Sequence, residues 1–275
     1  MTLVSRNRLF LASFILAVVF IVVTTVFFII AMLNDSIAIP QEHQRLFPLP
    51  QLPLISSNFL AALASAILLT LYAAIILGIS LVNFEKTRSL EIIYLVLFGL
   101  GCLFEGIRIW LPIVNLWADN SHLYILMGQL LFFGRVLSVI SLLALSLLAI
   151  EMENKQNIEL SILVVGSVAA LLARAIPINT LVIPSNCSIR FGMETTFLLT
   201  SSISLLAGFM AMLHQSHDHG SPEYAKVSIG FIILSTGYLV LTETDCLLFL
   251  SLGGILITVG SILFLINLHK FHMWK

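Results

Sequence analysis

Charge is what this sequence has least of. Of 275 residues only 10% are Asp, Glu, Lys or Arg, whereas soluble domains carry roughly 25%. With 13 basic and 14 acidic side chains, the chain cannot build the polar shell that a water-soluble fold of this length needs. The net charge of -1 arises from short clusters of both signs. There is no basic stripe and no acidic tail, so nucleic acid is not an expected partner.

Motifs are missing as well, and each absence excludes a chemistry. The chain has no P-loop, no Rossmann glycine pattern, no His-Glu-x-x-His helix and no paired Asp-rich motif for prenyl phosphates. All seven histidines fall outside the apolar runs, which leaves no axial pair for haem. The final run holds no lysine for a retinal Schiff base. No cofactor is expected.

What the chain has is apolar sequence: 59% of it is hydrophobic and its mean hydropathy is +1.08. A helix needs about 20 apolar residues to cross a hydrocarbon core of about 30 Å. Eight runs qualify: Leu9 to Leu33, Asn58 to Val82, Leu90 to Ile113, Leu123 to Ile150, Glu159 to Ile176, Phe191 to Leu213, Ala225 to Leu241 and Leu247 to Leu268. The expected fold is an all-α polytopic transmembrane helix bundle, one integral membrane domain over residues 1–275 surrounded by membrane lipids. Only Thr242, Glu243, Thr244, Asp245 and Cys246 separate the last two runs, so seven helices is the alternative. Eight is preferred, because a carboxylate pair is costly in mid-bilayer and meets water at a hairpin tip.

Orientation follows from the basic residues in the connectors. With both termini cytoplasmic, the inner side holds Arg6, Arg8, Lys86, Arg88, Lys155, Lys226, Lys270 and Lys275, against Arg45 and Arg190 outside. This places the protein in the cell inner (plasma) membrane. The first run is longer than the signal-peptide core of about 7 to 15 residues and is expected to stay as a helix, with cleavage after Ala38 the alternative. The connector from Asn34 to Ser57, with Pro40, Pro48, Pro50 and Pro53, is expected outside and non-helical.

Ionisable groups inside a span each cost about 2.5 to 3.5 kcal/mol and so seek a partner or a cavity. Glu105 and Arg108 stand at i and i+3 on one helix face. Arg135 on the next helix falls at a similar depth, with Gln129 nearer its outer end. The rise of about 1.5 Å per residue puts Arg108 about 7 Å, Glu105 about 12 Å and Arg135 about 18 Å below the outer helix ends. Neighbouring helices thus bring the three together. One reading makes the triad a fixture of helix register. The other gives its surplus positive charge to an anionic or amphiphilic ligand in an outward-facing pocket, lined also by Arg174 and Glu194. For Arg174 and Arg190 the favoured place is the interfacial rim, where arginine snorkels to headgroups.

Cys187 and Cys246 are expected on the outer side, where a disulfide between them is permitted. His214, His217 and His219 with Asp218, and His269 with His272, have spacings that suit a metal ion, though Gly220 and Pro222 make the first group read as an exposed turn. Cys187-Ser188-Ile189-Arg190, opening a membrane helix, resembles over about one helix the exosortase group of membrane transpeptidases. That resemblance implies a Cys187 nucleophile and further Arg or His residues on the next helix, where the run from Lys226 to Thr242 contains neither. Three functions are therefore carried forward. The preferred one is a sensor-like or accessory module, working with a partner membrane or signalling protein. The alternatives are a small permease and a cysteine transpeptidase.

Overall fold

A computed structural model of the chain describes residues 3–39, 54–84, 90–117, 122–148, 158–180, 182–219 and 222–273. Its helices are α1 (Leu3–Leu33), α2 (Phe59–Asn83), α3 (Leu90–Leu103), α4 (Ile107–Val114), α5 (His122–Leu148), α6 (Ile158–Ala175), α7 (Glu194–His219), α8 (Pro222–Thr242) and α9 (Leu247–Met273). A 3-10 turn at Phe104–Gly106 joins α3 to α4, so these two make one span. Among the described residues, eight spans are thus long and apolar enough to cross a membrane, as the apolar runs indicate.

Burial sorts the spans into a centre and a rim. Over their most apolar 18 residues, 83% of the α3–α4 span's residues are buried, against 17% for α1 and for α6. The rim helices turn large apolar side chains outward, among them Leu16, Val22 and Ile30 on α1 and Leu163 and Leu171 on α6. Such a surface has no favourable contact with water and suits lipid.

Small residues set how closely the helices approach. On the α8–α9 hairpin, the most extensive helix pair, a β-carbon at Gly237 would stand 2.5 Å from the Ile257 backbone nitrogen. One at Gly260 would collide with the backbone of Leu234. This backbone-to-backbone contact is the usual means of helix association in lipid, where side-chain burial gives no hydrophobic gain. Just below the polar site, Phe98 of α3 stands edge-on to Tyr72 of α2 and Tyr238 of α8, with ring centroids 6.1 and 5.3 Å apart.

Three features depart from the expectations above. The third run is helical throughout only with the 3-10 turn at its centre. A two-stranded hairpin follows α6, with β1 (Ile178–Asn179) antiparallel to β2 (Arg190–Phe191), where a plain connector was expected. His214, His217 and His219, expected in an exposed turn, lie on α7, and His269 and His272 lie on α9. Of the proline connector, residues 40–53 with Arg45 lie outside the described residues, as do Lys86, Arg88, Lys155 and Lys275. Its flanks are anchored, since the Ala38 amide donates to the Pro112 carbonyl (3.0 Å) and the Leu248 amide to the Leu54 carbonyl (3.2 Å).

Candidate functional site

The 3-10 turn positions the site. Tightening the helix over Phe104–Gly106 keeps Glu105 and Arg108 on one face, and Arg108 Nη1 donates to Glu105 Oε2 at 3.3 Å. Arg135 approaches from α5, its Nε 2.8 Å from Glu105 Oε1 and its Nη2 3.5 Å from Oε2. The expected triad therefore forms, with Arg108 and Glu105 at 0% and Arg135 at 2% exposure.

A second acid completes it. Glu243, after the last turn of α8, accepts from Arg135 Nη1 at 2.8 Å. Two guanidinium groups and two carboxylates sum to zero, so the surplus positive charge anticipated from the sequence is balanced inside the chain. Burying ions is costly unless partners and further hydrogen bonds satisfy them, and here they do. Arg135 Nη2 also donates to the Thr242 carbonyl at 3.0 Å, and its guanidinium stands 5.4 Å over the Phe191 ring. Arg108 donates to the Ser65 hydroxyl (3.0 Å) and to the Ala62 (3.2 Å) and Leu241 (3.4 Å) carbonyls.

The rest of Arg108 is met by a loop. Between β1 and β2 the chain turns into the bundle, burying Ser185, Asn186, Cys187, Ser188 and Ile189. Arg108 Nε donates to the Asn186 carbonyl at 3.0 Å, and Nη2 donates to the same oxygen. The Asn186 side-chain amide donates to Glu243 Oε2 (3.0 Å) and the Thr242 carbonyl (3.3 Å), and the Ser185 hydroxyl bonds Asp245 Oδ2 at 2.6 Å. The loop thus caps the ion pairs. Cys187 (φ 54°) and Met193 (φ 62°) take left-handed conformations, which non-glycine residues adopt at a cost.

Other expected site residues distribute differently. Glu194 pairs with Arg190 at 3.2 Å and borders a space of about 10 Å³ beside Arg135, Tyr238 and Glu243, which has room for about one water. Arg174 is exposed on the rim, and its Nη1 donates to Gln129 Oε1 at 3.3 Å. That pair stands apart from the ion-pair network. The two carboxylates of the last hairpin fare differently: Asp245 is only 6% exposed, held by Ser185 of the capping loop, whereas the Glu243 side chain keeps 20% exposure. The signal for Glu243 was in the sequence as an acid at the end of a span. Asn186, an amide in a connector, gave none.

Cys102, Cys187 and Cys246 are all free and buried, so the Cys187–Cys246 disulfide does not form. Burial pushes the Cys187 thiol up to about 12, with nearby Arg108 pulling partly the other way. A nucleophilic cysteine needs the opposite shift. Among the described residues, no cluster of three or more potential metal ligands occurs.

A larger space lies on the other side of the same turn. It is a groove of about 340 Å³, lined by Leu16 and Phe20 of α1, Phe104, Ile107 and Trp110, and Leu130 of α5. The 3-10 turn thus separates a polar site from an apolar groove.

Fold and site together define an all-helical bundle whose long apolar spans suit a membrane and which holds a capped, buried ion-pair network. No protein-family model matches its sequence. Over 126 residues, 46% of its length, the chain is 31% identical to an uncharacterized protein of Treponema pallidum (strain Nichols). The match covers 35% of that protein, so the chain spans about a third of its relative's length.

Proposed function

We propose that the chain is a sensor-like or accessory module of the inner membrane that binds the anionic end of an amphiphile beneath the 182–189 loop. The observation that carries this reading is the seat of Asn186 on Arg108. A fully buried guanidinium has two of its donors on one uncharged carbonyl of a loop. A carboxylate or phosphate would make a stronger, charge-assisted bond there.

An anion arriving from the outer side displaces the Asn186 carbonyl, and the loop leaves the bundle. The left-handed conformations at Cys187, inside the moving segment, and at Met193, just beyond it, favour its release, each costing on the order of 1 kcal/mol or more while the cap is closed. Departure of Asn186 also removes one of the two partners of Glu243, so the α8–α9 hairpin responds. The apolar outer surface of the bundle supports an amphiphile over a soluble anion, because lipid-facing side chains can hold its chain while the anionic end enters beneath the loop. A ligand shifts such an equilibrium only by its preference for the open state, and a partner membrane or signalling protein reads the change. The closed packing round Arg108 favours this module over a permease.

Cys187 reports the cap. In a Cys102→Ala/Cys246→Ala background reconstituted in phosphatidylcholine vesicles, a membrane-impermeant maleimide should label Cys187 slowly. Adding oleate to the vesicles should accelerate labelling at least severalfold. Arg108→Ala should raise the basal rate and abolish the oleate response. If oleate and an anionic lysophospholipid both leave the rate unchanged, the reading fails.

A further inference from the structure

The end of the bundle opposite the ion-pair network carries a second, independent site. α2 begins beside that network, where the Asn58 amide donates to the Asp245 carbonyl at 2.7 Å, and its 25 residues carry it about 37 Å away. At its far end, α2 and α9 leave a groove of about 360 Å³. Ile79, Leu265 and Ile266 make its apolar wall, and Asn83, His269 and Lys270 make its polar end.

The polar end is built to donate. Lys270 is exposed and carries three N–H groups. The His269 ring stands edge-on to Phe84, centroids 5.7 Å apart at 90°, which fixes its orientation. Its buried Nδ1 has no hydrogen-bond partner among the described residues. The Phe84 carbonyl, which would otherwise repel an anion, is occupied by Arg6 Nη2 at 2.8 Å. Among the described residues, no carboxylate lines this groove.

We propose that this groove binds an anionic phospholipid. Lys270, His269 and the Asn83 amide take the phosphate oxygens, and Ile79, Leu265 and Ile266 hold the first part of an acyl chain. A cation alone would attract any headgroup weakly. Here the donors stand directly above an apolar wall, which matches the sequence of chemistry along one lipid molecule. The site depends on neither the capping loop nor its ligand, so its test is separate from the test of the outer face.

The test is lipid retention by the full chain, purified from mixed phosphatidylglycerol and phosphatidylcholine micelles and weighed by native mass spectrometry. Wild-type protein should retain phosphatidylglycerol in preference to phosphatidylcholine. Lys270→Ala/His269→Ala should lose that preference severalfold, while Lys270→Arg keeps it. Ser251→Ala, at the other end of the bundle, should match wild type. Circular dichroism of each variant guards against loss of fold, and Lys270→Gln with His269 intact provides a milder change that should weaken retention in part. Equal retention of both lipids by wild type, or an unaltered preference in the double variant, overturns the proposal. So does a thermal shift with inorganic phosphate that equals the shift with phosphatidylglycerol, since that assigns the site to a free anion.

Discussion

Arg135 and Glu243, 108 positions apart in the chain, meet at 2.8 Å. The contact ties α5 to the last helical hairpin and supplies the acid that balances the second arginine of the network. The two acids around Arg135 are not equivalent, because the Glu105 side chain is 1% and that of Glu243 20% exposed.

The two acids therefore differ in what their loss costs. Glu105→Ala leaves Arg135 its bond to Glu243 but takes from buried Arg108 the carboxylate it pairs with, and loss of one partner from a buried pair costs about 3–5 kcal/mol. Its thermal midpoint in detergent should fall steeply, with reduced folded yield. Glu243→Ala should fall less, since water reaches the vacated position. Equal midpoints for the two variants would contradict this ranking.

Glycine contacts make a second contrast. Gly237→Ala places a methyl group against the Ile257 backbone, whereas Gly166→Ala meets nothing within 4 Å. The first should open the α8–α9 hairpin and lower the thermal midpoint. The second should be neutral or slightly stabilising, because alanine exceeds glycine in helix propensity by about 1 kcal/mol. Melting curves followed by circular dichroism distinguish them.

The Cys187 thiol gives a pH dependence with a definite sign. Its folded value lies near 12 against an ordinary value of 9.0, so the folded state holds its proton more tightly than the unfolded state. The stabilisation is complete below pH 9 and is lost as pH rises towards 12. Between those values wild type should lose stability relative to Cys187→Ala, as measured by chemical denaturation of both proteins. Parallel curves would place the thiol in water.

Orientation can be read from the two ends of the bundle. Basic residues gather at the Arg8 and Lys270 end, so single cysteines introduced there should resist an impermeant maleimide in intact cells. A cysteine replacing Arg174 should label readily. The reverse pattern would invert the topology expected from the charges.

Several site residues were legible before any fold was known. The i, i+3 spacing put Arg108 beside Glu105, and the helical rise put Arg135 at their level. The same rise placed Gln129 and Arg174 in the outer half, yet they pair elsewhere. Six residues turn a helix by about 600°, leaving Gln129 about 240° round the axis from Arg135, so depth alone overstated their nearness. The break between the last two spans was placed correctly for a reason that holds only in part: Glu243 keeps some exposure while bonding Arg135 and Asn186, but Asp245 is buried and meets Ser185 instead of water.

The sequence by itself determined the eight apolar spans, because twenty successive lipid-compatible residues are a property of a local stretch and need no partner to be recognised. It also determined that Glu105, Arg108 and Arg135 must find company, because an isolated ion in hydrocarbon is too costly to persist. Only the tertiary structure decided who that company is. The charge balance through Glu243 and the seat of Asn186 on Arg108 depend on segments far apart in the chain meeting at one point, and no local pattern encodes that meeting.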